Sequence, residues 1–251
     1  PEDVFISGLI ELLKLDGEWC KADDGCSLYI RPFIFASSEW IKASSSDEFT
    51  FMIITSPTIN YYPGSIDLVI EQHFSRATNG GVGYAKAAGN YAGSFYPTKK
   101  ANARGFTQVI WTDSKEHKYI EESGTMNIWF RIDNKLITPS LSDSILGGIT
   151  RDSILKLAID AGIDVEERIV SVAEILEASK NGTLQEAFGT GTAVAVVAVK
   201  SITLEDIKMN IPTQENPISM RFKKQLQDLQ YGRSEDIFNW TSKVPSSITT
   251  F

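Results

Sequence analysis

Cysteine and histidine are the scarcest side chains in this 251-residue sequence: Cys20 and Cys26 are its only cysteines, His73 and His117 its only histidines. Two thiols cannot build a disulfide framework, and so few soft ligands argue against a Cys/His centre, so no metal is expected. Positive charge is also short. Twenty-four Lys and Arg face 32 Asp and Glu, a net charge of -8, and no basic block offsets that balance. Nucleic acid is therefore not an expected partner. No apolar run is long enough to span a bilayer, and no signal-peptide pattern opens the chain, so no membrane role is expected either. Internal repeats and heptad runs are missing as well. What is present is enough apolar material, 42% of residues, to bury a sizeable core. These features together predict a globular protein of cytoplasmic type.

The sequence begins at Pro1 and enters a helical pattern at once, over residues 3–16, with Phe5, Leu9, Leu12 and Leu13 on one face. So abrupt a start implies that an N-terminal portion is missing. Residues 27–35 and 51–56 read as strands around a serine-rich loop. The Tyr61-Tyr62-Pro63-Gly64 turn reads as an interdomain linker. Short strands follow at 67–71, 108–112 and 119–122, then a hairpin of 126–132 and 135–138 across Asp133-Asn134. Thr150 is expected to N-cap a helix to residue 161, and Ser171 with Glu174 to open another that stops at Asn181-Gly182. Residues 192–200 read as a buried strand. Asn216 and Pro217 read as N-cap and first residue of a last helix. The pattern is mixed α/β, without the regular alternation of a doubly wound sheet.

Chemistry concentrates around Lys86, in Asn-Gly-Gly-Val-Gly-Tyr-Ala-Lys-Ala-Ala-Gly-Asn-Tyr over residues 79–91. Glycines let the backbone approach a ligand closely. A lysine among small, partly apolar neighbours is expected to be poorly solvated and so to become a nucleophilic amine, the setting of a Schiff-base lysine. Glu122, just before the Gly124-Thr125 turn, is a carboxylate suited to a protonated ring nitrogen. Gly147-Gly148-Ile149-Thr150 runs into a helix start, where free N–H groups favour a phosphate. Gly189-Thr190-Gly191-Thr192-Ala193 is a second turn able to present N–H groups and hydroxyls to an anion. Each segment alone is an ordinary loop, strand end or turn, and the sequence does not show that they converge.

In order, GGVGYAKAAGNY, EESGTMN, GGITR and FGTGTA, with SLYIRP upstream, closely resemble the branched-chain amino acid aminotransferases, pyridoxal-phosphate enzymes of fold type IV. The resemblance spans residues 2–231. It implies an α/β (α+β) fold with a remnant of a small N-terminal α/β domain over residues 1–60, a linker at 61–66 and a larger, β-barrel-like domain with flanking helices over 67–251. It implies pyridoxal 5'-phosphate bound by Lys86, with Tyr91 at its phenolic oxygen and Glu122 at its ring nitrogen. Ile149, Thr150 and Thr192 would hold the phosphate. Thr125, Thr192 and Ala193 would face the substrate, with Tyr61 closing over it. Tyr29 and Arg31 would arrive from the neighbouring subunit of a homodimer. The family's N-terminal region, which contributes an arginine to the phosphate and aromatic walls to the pocket, would be the missing portion.

The implied reaction is ping-pong transamination of leucine, isoleucine or valine with 2-oxoglutarate, Lys86 moving the proton. D-Amino acid aminotransferase, aminodeoxychorismate lyase and a non-catalytic homologue are the alternatives.

Overall fold

The computed structural model describes residues 1–20, 25–58 and 64–245. Contacts divide the chain into two compact units, Pro1–Tyr61 with Asp236–Phe251, and Tyr62–Glu235. Asp236 onward thus groups by contacts with the first unit.

In the first unit, helix α1 (Glu2–Asp16) runs into a 3-10 turn (Gly17–Trp19). Strands β1 (Ser27–Ala36) and β2 (Phe49–Thr58) pair antiparallel, Ser27 opposite Thr58 and Ala36 opposite Phe49. The helix packs on this ribbon through an edge-on contact of Phe5 with Phe51 and a Thr55 hydroxyl donating to Asp16.

The second unit is a ten-stranded mixed sheet with four helices among its described residues. Its centre is a parallel trio. Strand β3 (Ile66–Ile70) lies between β4 (Gln108–Thr112) and β11 (Ala195–Leu204). Beyond β4 come β5 (Tyr119–Ser123) and β9 (Val170–Ser171). Beyond β11 come β10 (Leu184–Gly191), β6 (Asn127–Ile132), β7 (Lys135–Pro139) and β8 (Val165–Arg168), while β12 (Ile207–Asn210) pairs with β11 alone. The two ends of this path, β8 and β9, are consecutive in sequence with only Ile169 between them. One short segment therefore lines both edges of the sheet, which is how the expected barrel-like character is realised. Helices α2 (Ala88–Ala103), α3 (Ile149–Asp160), α4 (Val172–Asn181) and α5 (Ile218–Gln230) pack on the strands.

The β-branched and aromatic content of the strands explains the core. Leu68, Ile110, Ile128, Phe130, Leu136 and Ile202 are fully buried, each contributing roughly 1.5–3 kcal/mol through the area it removes from water. The β6–β7 turn has Asp133 at φ 49 and Asn134 at φ 64, the two left-handed residues that a two-residue hairpin needs and that Asp and Asn tolerate best.

Four local expectations are corrected. The helix expected from Thr150 begins at Ile149 with Gly148 as N-cap and no side-chain cap, so Thr150 lies inside its first turn. Residues 192–194 form the β10–β11 turn, and the strand starts only at Ala195. Ser171 does accept from the Glu174 N–H, but the Glu174 carboxylate turns to Arg168 instead of closing the box. The last helix has Pro217, not Asn216, as its N-cap. Its cap comes from across the fold: buried Glu186 on β10 accepts the Ile218 N–H, the Ser219 N–H and the Ser219 hydroxyl. Its other neighbour is Arg131 on β6, at 3.2 Å.

Glu186→Ala removes that cap and leaves Arg131 without its carboxylate, so it should destabilise the protein by about 2–4 kcal/mol. Urea denaturation read by far-UV circular dichroism measures this, and a change below about 1 kcal/mol would show that α5 is held by packing alone.

Candidate active site

Lys86 stands one residue before the Ala87 N-cap of α2, at the end of a loop folded on itself. The Gly81 N–H donates to Thr78 O, Ala85 N–H to Val82 O and Tyr84 N–H to Asp143 O. Asn90, in the first turn of α2, gives its amide to the Val82 and Ala85 carbonyls at 2.8 and 3.0 Å. At Gly83 a Cβ would fall 2.5 Å from Ala77 Cβ and 2.6 Å from Ser144 Cα, so only glycine allows this seating. The loop therefore fixes the backbone on either side of the lysine. Lys86 Nζ donates to the Tyr91 hydroxyl at 3.0 Å. The poor solvation expected for Lys86 is not found: its side chain is exposed, because the small residues around it shape the backbone and do not cover the amine.

Opposite the loop lies Glu122 on β5, 3% exposed. Its Oε1 accepts the Leu146 N–H at 2.7 Å and, weakly, the Asn127 amide at 3.4 Å. Its Oε2 lies 3.0 Å from Arg76 Nε. Burial pushes the Glu122 carboxyl up to about 7, against the opposing pull of the Arg76 charge, the Leu146 N–H and the Lys86 charge. Its neighbour Glu121 is also raised, chiefly by burial, although the Ser144 hydroxyl donates to it. Arg76, Ala85, Tyr91, Glu122, Thr125 and Leu146 line one cavity between loop and sheet.

The turn ahead of α3 is linked to this cavity through Asn127. Its amide also donates to Leu146 O at 2.8 Å, and its Oδ1 occupies the place that a Cβ at Gly148 would need. Glycine at 148 thus lets β6 press against the start of α3, where Ile149 and Thr150 offer N–H groups that no side chain caps. Gly191 borders the Thr125 carbonyl and Met126, which sets the exposed Thr192-Ala193 turn beside the Thr125 turn. Lys86, Tyr91, Glu122 and Thr125 accordingly converge, with Ile149, Thr150, Thr192 and Ala193 on adjoining turns. Tyr29 and Arg31 lie on β1 of the other unit, where Arg31 Nη2 donates to the Tyr29 hydroxyl at 2.5 Å. Tyr61 lies outside the described residues. Sequence reasoning missed Arg76 and Leu146, and quoted Asn90 and Asn127 without a role. An arginine ten residues before the lysine carries no local mark of burial, and Leu146 acts through its backbone.

The donor set fits pyridoxal phosphate: a buried carboxylate for a ring nitrogen, an amine held at a tyrosine hydroxyl, and an uncapped helix start for an anion. The pattern of the class IV amino-transferase family matches residues 8–202. The chain belongs to the class IV aminotransferases. A probable branched-chain-amino-acid aminotransferase of Staphylococcus epidermidis is 41% identical over 249 residues, covering 97% of this chain and 70% of the relative. The branched-chain amino acid aminotransferase of Escherichia coli superposes with a TM-score of 0.70 at 29% identity, over 86% of this chain and 69% of that one. The branched-chain amino acid aminotransferase of Thermobaculum terrenum, in its PLP-form (holo-form), superposes with a TM-score of 0.70 at 23% identity, over 87% and 69%, a likeness of fold. Membership in this family agrees with the mixed α/β architecture and makes the chain an aminotransferase-type enzyme. No helix among the described residues is long and apolar enough to cross a membrane, and no metal-binding cluster occurs among them.

A carboxyl whose folded pKa is raised contributes stability that is whole below its unfolded pKa and is lost as pH rises through the folded value. For Glu122 the window runs from 4.5 to about 7, worth about 3 kcal/mol. Glu121 acts in the same direction. The cofactor-free aminotransferase should therefore melt at a lower temperature at pH 8 than at pH 5.5, and Glu122→Gln should flatten most of that dependence in differential scanning calorimetry. Parallel pH profiles for the two proteins would contradict the assignment.

Proposed function

We propose that this aminotransferase moves the amino group of branched-chain L-amino acids to 2-oxoglutarate, using pyridoxal 5'-phosphate and working by ping-pong kinetics. The observation that carries the reading is the shared cavity in which Tyr91 and Glu122 meet, with the Lys86 amine on the Tyr91 hydroxyl. About 40% identity to relatives named for branched-chain substrates supports the substrate class.

When bound, pyridoxal phosphate supplies an aldehyde carbon for the amino group and a conjugated ring that draws electrons from Cα. The residues of the chain do the rest. Lys86 Nζ would hold the group at that carbon and, as the general base, would take the proton from the substrate Cα and deliver it to the carbon on the other side of the amino nitrogen. Tyr91, one turn into α2, holds the amine on its hydroxyl between these steps. Glu122 is the partner of the ring-nitrogen proton. Its buried carboxylate would hold that proton in place and so keep the ring electron-withdrawing. The uncapped N–H groups of Ile149 and Thr150, with the Thr192 hydroxyl, would hold the phosphate. Thr125 and the Thr192-Ala193 turn face the amino acid. Tyr29, Arg31 and Tyr61 complete the substrate side, the first two from the other subunit of a homodimer. Release of the 2-oxo acid before 2-oxoglutarate enters lets one cavity serve both half-reactions.

The full chain incubated with pyridoxal phosphate should gain a borohydride-reducible yellow absorbance and consume L-leucine with 2-oxoglutarate. Lys86→Ala should lose that absorbance and lower turnover by on the order of 10³-fold or more. Turnover of D-alanine or aminodeoxychorismate in preference to L-leucine, in side-by-side assays, would replace this reading with that of a different class IV enzyme.

A further inference from the structure

Arg76 lies between β3 and α2 on no regular element, and the reaction above assigns it no step. Its side chain is nonetheless only 8% exposed. Its Nη2 donates to Gly83 O at 3.2 Å and to Ser144 O. Its Nε, 3.0 Å from Glu122 Oε2, has no hydrogen-bond acceptor of its own. Gly83 belongs to the loop that carries Lys86. Ser144 belongs to the segment that leads through Leu146 to the start of α3, and Asp143 of the same segment accepts the Tyr84 N–H. One planar cation thus touches three separate stretches of chain that build the site.

We propose that Arg76 is a positioning residue that locks the lysine loop, the segment ahead of α3 and the Glu122 carboxylate into one arrangement. The proposal rests on the cofactor reading of this site. Glu122 Oε1 is committed to the Leu146 N–H, so the side on which Oε2 lies is decided by Arg76. A guanidinium does this because its fork has a fixed plane. Two carbonyls held by Nη2 orient the plane and leave Nε 3.0 Å from Glu122 Oε2, as an ion pair. Lysine at 76 keeps the charge without the fork. Leaving the carboxylate without Arg76 also changes its acidity: the groups that act on Glu122 are Arg76 and Lys86, which favour its anion, and Glu121, which opposes it. Without Arg76, the Lys86 charge and the Leu146 N–H alone offset burial and Glu121, and the carboxyl holds its proton to higher pH.

The test compares the full-length wild type with Arg76→Lys and Arg76→Met by three measurements. Amide exchange of Tyr84 and Ala85 should quicken about tenfold or more in both variants, while β6 amides stay as slow as in wild type. With pyridoxal phosphate bound, kcat for L-leucine should fall on the order of a hundredfold in both, with KM much less affected. The pH-dependent limb of the bound chromophore should move upward in Arg76→Met and stay near its wild-type position in Arg76→Lys. Loop exchange and pH limb both unchanged in Arg76→Met would overturn the proposal, as would faster exchange spread evenly over the second unit, the mark of general destabilisation. Should Arg76→Met fail to fold, the loop-against-β6 comparison in Arg76→Lys decides by itself. The exchange measurement needs no cofactor. A wild type that takes up no pyridoxal phosphate therefore sinks the reading of the preceding subsection and leaves this tie to be judged separately.

Discussion

A carboxylate taken almost wholly out of water is costly unless donors surround it, and Glu122 is the point at which the second unit meets that cost. Its donors come from three directions: the Leu146 backbone, the Asn127 amide and the Arg76 charge. None of the three adjoins Lys86 in sequence, yet each is tied to a different piece of the site. Leu146 precedes the α3 start, Asn127 opens β6 and stands against Gly148, and Arg76 grips the lysine loop. Satisfying one buried charge and assembling one active site are therefore the same structural act. The balance is incomplete, since burial still outweighs the donors and holds the carboxyl near neutrality. A residue in that state is poised to partner a second positive group, which a pyridinium proton supplies.

The scaffold around this charge is stiff where the site needs it. Strands β4, β5 and β6 are buried almost throughout, and the aromatic pair Trp129 and Phe188 stacks across β6 and β10. The groups proposed to face the ligand stand on or beside turns at residues 124–126, 146–148 and 192–194. Absence of a side-chain cap at Gly148 is a stability defect for α3 taken alone. It becomes useful when the partner of those N–H groups is an anion from outside.

Much of the fold was legible because it is locally encoded. The strand bounds at 108–112 and the hairpin across Asp133-Asn134 follow from β-branched runs and from two residues that accept left-handed backbone. Lys86, Tyr91, Glu122 and Thr125 were legible as a set only through their order along the chain, and the structure brings these four together. What the sequence hid depends on distant partners. Helix α2 was missed because glycines and Pro97 lower its intrinsic propensity, while Ser94, Pro97 and Ala101 give it a buried face. The start of α5 was misplaced by one residue because its cap, Glu186, lies more than 30 residues upstream. Arg76 stayed silent for the same reason.

The exposure of Lys86 alters how its reactivity should be understood. Desolvation was expected from the glycines and alanines beside it, but small residues cannot exclude water from a four-carbon amine that reaches past them. The loop instead fixes where the chain enters and leaves residue 86, and Tyr91 fixes where Nζ rests. The loop by itself leaves the amine in water. This separates two properties that a sequence motif merges. Placement of the amine is built into the loop through Gly83 and Asn90, whereas its desolvation is not supplied by that loop.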